Sequence, residues 1–114
     1  MALQIYALKR DFEVQKAERF FKERRVPYQF VDLKRHTMGL RELTAIKAQV
    51  GLRAMIDTTA KAYQAHYIRN LTGEGPILEA LASAPQLLKA PIVRNGKLAT
   101  VGYAPQVWAQ WIEK

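Results

Sequence analysis

Residues 3–33 read as a strand, a helix and a second strand within about thirty residues, and that spacing constrains the fold more than any other feature. Residues 2–7 (ALQIYA) are a short apolar run bounded by charge, the pattern of a buried strand. Asp11 then stands as a helix N-cap, with Glu13 in the first turn, where the helix dipole favours an anion. Val14, Ala17, Phe20 and Phe21 recur at helical spacing and predict one buried side. Glu18 with Lys22, and Arg19 with Glu23, are i,i+4 pairs expected on the opposite, wet side. Pro27 disfavours helical geometry in its predecessor, so the helix is expected to stop before RRVPYQF. PYQFVDL, residues 27–33, alternates in polarity and is rich in aromatic and β-branched residues, which predicts a second strand parallel to the first.

Beyond this unit KRHTMG reads as a loop, and residues 40–50 (LRELTAIKAQV) as a helix closed by Gly51 at its C-terminal cap. Residues 52–89 read as broken helix. A break is expected near Asp57-Thr58, a turn at NLTGEGP, a helix start at Pro76 and an interruption at Pro85. Residues 91–94 (PIVR) and 98–101 (LATV), joined by NGK, carry a strong hairpin pattern. The closing APQVWAQWIEK predicts a helix with Val107, Trp108, Trp111 and Ile112 on one apolar side. The order β-α-β, helices, β-hairpin and terminal helix implies one α/β domain, residues 1–114, with a thioredoxin-like fold. A four-stranded mixed sheet would carry helices on its faces, with region 35–90 as a helical insertion. The proline opening the third strand in KAPIV stands where that fold keeps a cis peptide; the isomer itself is not written in the sequence.

The residue types exclude several chemistries. The chain has no cysteine, which removes disulfides, thiolate metal ligands and thiol nucleophiles together. Its two histidines, His36 and His66, lie thirty residues apart with no carboxylate at ligand spacing, so no metal site is expected and both read as surface residues. No apolar run approaches the roughly 18–20 residues that span a bilayer, and no signal-peptide pattern opens the chain, so a cytoplasmic location is the expectation. The net charge of +8, from 18 Lys and Arg against 10 Asp and Glu, is spread along the chain. Such a field suits an acidic partner, either nucleic acid or an acidic protein face, and equally describes a solvated surface.

With these residues in view, the chain resembles the ArsC/Spx family of arsenate reductases and related regulators over essentially its whole length. IYALKRDFEVQKA is similar to the family's first strand, catalytic loop and helix; RRVPYQFVDL to its second strand; LLKAPIVRNGKLATVGY to its signature around the proline and hairpin; and PQVWAQWI to its last helix. The departures carry the functional reading. The family's nucleophilic cysteine falls at Asp11, and the second cysteine of Spx-type proteins at Val14. Ala90 replaces an arginine before the signature proline, Pro91, and Tyr103 replaces another after Gly102. MIDTTAK supplies threonines and no guanidinium. Arsenate reduction as the family performs it needs a thiolate at a helix N-terminus and arginines around the anion. Aspartate can occupy that dipole but can neither form a disulfide nor reduce arsenic, and its charge repels arsenate.

What the resemblance then implies is a cysteine-less member that works as a binding or regulatory module. Spx-type regulators contact the C-terminal domain of the RNA polymerase α subunit through the end of the second helix. Lys47 and Gly51 stand at the two positions tied to that contact, although a helix C-cap and a solvated lysine explain them equally. The alternative is an oxidoreductase-like or transferase-like protein binding glutathione or an oxyanion beside Lys9, Arg10, Asp11, Ala90 and Pro91. Asp11 as a plain N-cap and Lys9-Arg10 as a solvated turn are the structural readings of the same residues.

Overall fold

The strand–helix–strand opening folds into two parallel strands, β1 (Leu3–Ala7) and β2 (Gln29–Asp32), connected by α1 (Phe12–Glu23). The computed structural model describes residues 3–113, so the expected strand start at Ala2 and the end of the last helix at Lys114 lie outside the described residues. β1 pairs on its other side with β3 (Ile92–Asn95), antiparallel, and β3 pairs with β4 (Leu98–Val101), giving a mixed sheet of order β2-β1-β3-β4. Between β2 and β3 run α2 (Leu40–Val50), α3 (Lys61–Ala65) and α4 (Glu74–Ser83), linked by short 3₁₀ turns; α5 (Pro105–Ile112) closes the described chain.

The sheet has a core on each face, because successive side chains of a strand point to opposite sides. Leu3, Ile5 and Ala7 of β1 with Val93 of β3 pack against Val14, Ala17, Phe20 and Phe21 of α1 and Trp108 and Trp111 of α5. Tyr6 and Ile92 face the other way, onto Leu43 and Ile46 of α2 and Leu81 of α4. All four apolar positions predicted for the buried side of α1 are therefore inside. Within the first core the Trp108 indole N–H donates to the Thr100 hydroxyl at 2.8 Å, both groups buried.

Turn chemistry fixes the ends. Asn95 pairs with Leu98, so the hairpin loop is Gly96-Lys97, and Gly96 takes φ +61, as two-residue primed turns require. α1 ends in a Schellman arrangement: Val26 N–H donates to Phe21 C=O (2.9 Å) and Arg25 N–H to Lys22 C=O (3.1 Å). Arg25 occupies the left-handed position there, at φ +58, where glycine is usual. α2 closes at Gly51, with φ +87 and its N–H donating to Lys47 C=O.

Three expectations are corrected. β2 is shorter than residues 27–33, since Tyr28 and Leu33 lie beyond the ladder. α4 starts at Glu74, two residues before Pro76, and takes up part of the expected NLTGEGP turn. Pro76 fits because the first four N–H groups of a helix have no intrahelical partner. Val107 is exposed: Trp108 and Trp111 set the buried face of α5, and Val107 falls about a quarter turn from its centre.

Candidate functional site

β1 and β3 run past each other so that Tyr6 opposes Ile92. The ladder ends there, so Ala7 and Leu8 leave the sheet at the end where Ala90 and Pro91 enter it. The loop holding Lys9, Arg10 and Asp11 and the start of β3 thus meet at one end of the sheet. Gly102 N–H donates to Pro91 C=O at 2.8 Å, bringing Tyr103 to the same end. The Ala90-Pro91 peptide is cis and Pro91 is buried, while Ala90 is half-buried. The middle of the chain is clamped alongside: Asp57 N–H donates to Leu87 C=O (2.9 Å) and Lys89 N–H to Met55 C=O (2.8 Å). Asp57 also holds Thr59 through its N–H (3.1 Å) and hydroxyl (2.6 Å).

Asp11 is exposed and caps α1, its Oδ1 accepting from Val14 N–H at 3.0 Å. The loop around it is closed by its own hydrogen bonds, Asp11 N–H to Lys9 C=O (3.0 Å) and Gln15 Nε2 to Arg10 C=O (2.9 Å). Lys9 is exposed beside it. Where the sequence resemblance marks the loss of an arginine stands Tyr103, exposed but in contact with its neighbours. The Lys16 ammonium lies 4.4 Å from its ring centroid, and Tyr103 meets Trp108 edge-on at 5.6 Å. Lys16 also lies 5.6 Å from the ring of Phe12, which is 71 % exposed. The Asp11 carboxylate, the exposed Lys9, and a Lys16 ammonium shared between Glu13 (3.9 Å) and the rings of Phe12 and Tyr103 therefore surround the start of α1.

Arg10 is engaged by α1 and β2. Its Nε lies 3.0 Å from Glu18 Oε1, and its guanidinium carbon stands 3.9 Å from the Phe30 ring centroid. Glu18 departs from its expected surface pairing with Lys22. It is 7 % exposed, and its second oxygen accepts from the Tyr28 hydroxyl at 2.7 Å. Among the described residues the Arg19–Glu23 pair is absent too, and Glu23 lies nearest Arg24, at 4.0 Å. Burial first, then the hydrogen bond to Glu18, push the Tyr28 phenol up to about 12. The pattern held a sign of this: Glu18 sits four residues after Val14 and three before Phe21, inside the apolar stripe. Around this cluster opens a cleft of about 680 Å³ between α1 and β2, lined by Arg10, Gln15, Glu18, Arg19, Lys22, Tyr28 and Phe30.

Lys47 and Gly51 lie apart from this site, at the end of α2 on the opposite face of the sheet. Lys47 is no free lysine, for its Nζ pairs with Glu74 Oε1 at 2.8 Å and ties α2 to α4. His66 is half-buried: its Nδ1 accepts from Ile68 N–H at 3.0 Å and its ring stacks on Tyr67. No group of three His, Cys, Asp or Glu among the described residues could hold a metal ion, and no described helix is long and apolar enough to cross a membrane.

A mixed four-stranded sheet, helices on both faces, and a cis-proline at the start of β3 beside the N-terminus of α1 define a thioredoxin-like domain. The ArsC family model matches residues 6–111, and the chain belongs to the ArsC family. Among solved structures it is similar to the protein YffB (TM-score 0.86, 21 % identity, 96 % of this chain and 97 % of that one). It is also similar to an arsenate reductase from Vibrio cholerae (TM-score 0.83, 20 % identity, covering 96 % and 97 %). A protein from Staphylococcus aureus matches with TM-score 0.80 and 25 % identity, covering 95 % and 96 %. No curated protein matches the sequence.

Proposed function

We propose that this ArsC-family domain is a non-catalytic binding module with a regulatory role. One observation carries the reading: the α1 N-terminus is capped by the Asp11 carboxylate, in a chain with no cysteine to supply a thiolate. The helix dipole that would lower a thiol's pKa here stabilises a fixed anion, which repels arsenate. The partner proposed is the C-terminal domain of the RNA polymerase α subunit, met through the end of α2 at Lys47 and Gly51. The basic surface supports a partner with an acidic face or one close to DNA.

Binding of the purified α-subunit domain tests the contact, with Gly51→Arg, Gly51→Ala and Lys47→Glu compared. Gly51 has φ +87 and ψ 152, a region open almost only to glycine, so both Gly51 substitutions strain the helix end. Only arginine adds bulk and charge to the surface. Loss of binding with arginine and retention with alanine supports the contact; equal loss in both overturns it. Titration with sulfate, arsenate and glutathione tests the alternative. Amide shifts confined to residues 9–13 and 90–92 would make this end of the sheet a small-ligand site and displace the binding-module reading.

A further inference from the structure

We propose that the groove between α1 and the outer edge of β2 binds an extended acidic peptide of another protein, which adds to the sheet as a fifth strand. This face is separate from the end of α2, and the inference stands whether or not the α-subunit contact does.

Among the described residues β2 is an edge strand, paired only with β1. Leu33 N–H donates to Ala7 C=O at 2.9 Å, so that residue faces β1. Backbone groups of a strand alternate in direction, and therefore Gln29 and Val31 also face β1, while Phe30 and Asp32 point their N–H groups outward. The Asp32 carbonyl is already taken by the N–H groups of Arg35 and His36, which ends the open edge with a turn. The Phe30 N–H and C=O and the Asp32 N–H remain as a short template of the kind that captures extended peptides.

Charge selects the occupant. Arg19 and Lys22 line the groove from α1, and neither has a carboxylate partner among the described residues. At the far end of β2 the Asp32 carboxylate is offset by Arg35, 4.0 Å away, which leaves the exposed Lys34 to extend the positive field along the edge. Two copies of this edge would repel one another, whereas a strand carrying Asp or Glu at alternate positions meets cations on both sides. A nucleic-acid strand fits less well, because base stacking needs open aromatic faces. Arg10 covers Phe30, and Tyr28 is held by Glu18 and packed against Phe21.

The test titrates the whole chain with a synthetic peptide alternating glutamate and valine, following amide hydrogen exchange residue by residue. The expected result is slowed exchange at Phe30 and Asp32 with little change at Gln29 and Val31. Arg19→Gln with Lys22→Gln should weaken binding about tenfold, as two partly exposed charge-assisted contacts would, with the melting temperature unchanged. A peptide with prolines in place of the valines should not bind. Three results overturn the proposal: equal binding of the proline peptide, protection of Phe30 by concentration of the protein alone, or tighter binding of an oligothymidylate at the same residues.

Discussion

The Tyr28 hydroxyl donates to the Glu18 carboxylate at 2.7 Å, tying the residue before β2 to the middle of α1. Glu18 at the same time receives Arg10 from the loop after β1. One carboxylate therefore fastens three consecutive pieces of the opening strand–helix–strand unit. Because Arg10 belongs to the loop that carries Asp11, the same network orients the start of α1.

Glu18→Ala should lower unfolding free energy by about 1–2 kcal/mol, the scale for losing charge-assisted hydrogen bonds at a mostly buried group. Urea unfolding followed by tryptophan fluorescence measures it. In a double-mutant cycle with Tyr28→Phe the two losses should fall short of additivity. Additive losses, or a change within ~0.3 kcal/mol for Glu18→Ala, would make this an ordinary surface pair.

Tyr28 should titrate late. Burial first and the Glu18 hydrogen bond second hold its phenol at about 12 against the usual 10.0. Tyr6 is also raised, chiefly by burial, so Tyr28→Phe should remove one of two late components from the ultraviolet titration. The folded chain keeps this proton after the unfolded chain has lost it. The stability Tyr28 contributes is therefore whole below pH 10.0 and lost as pH rises towards about 12. In Glu18→Gln the late component should move down while staying above the usual value, since burial persists.

The indole of Trp108 donates to Thr100 inside the core, and both residues are buried. Thr100→Val keeps the shape and orphans the indole N–H, so it should cost about 1–3 kcal/mol. Thr100→Ser keeps the oxygen and should cost less. Thermal unfolding checks the order, and a valine variant as stable as the parent would place the indole against a water.

Much of this fold was open to reading because its local rules agree with its tertiary structure. The stripe Val14, Ala17, Phe20, Phe21, the hairpin at Gly96 and the closing cap at Gly51 each need only neighbours in sequence. Glu18 was misplaced because its i,i+4 partner Lys22 is a local explanation, whereas Arg10 and Tyr28 reach it only once β1 and β2 pair. The Lys47–Glu74 pair was hidden for the same reason: Glu74 lies 27 residues along the chain, brought near by α4 packing on α2. Of the candidate site, Asp11 as N-cap was legible from its place before an amphipathic helix. The cation–aromatic packing of Lys16 on Tyr103 was not, because it joins α1 to the segment after β4.

Restoring the sulfur should not restore the reaction. Asp11→Cys would place a thiol on the N-terminus of α1 next to exposed Lys9, and its pKa should fall below the ordinary ~8.5 of a free cysteine. The pH dependence of iodoacetamide alkylation reports that value directly. Arsenate turnover should nevertheless be absent, because an oxyanion needs convergent guanidinium groups as well as a nucleophile. Here Ala90 and Tyr103 stand where the sequence resemblance places two arginines, and Arg10 is held by Glu18 at 3.0 Å. Stability should also fall by about 1 kcal/mol, since cysteine is a poorer cap than aspartate for the Val14 N–H. Adding Ala90→Arg and Tyr103→Arg to Asp11→Cys should yield weak arsenate binding by calorimetry where the single variant shows none. If Asp11→Cys alone reduces arsenate with a thiol donor, the missing arginines are not what separates this chain from a working reductase.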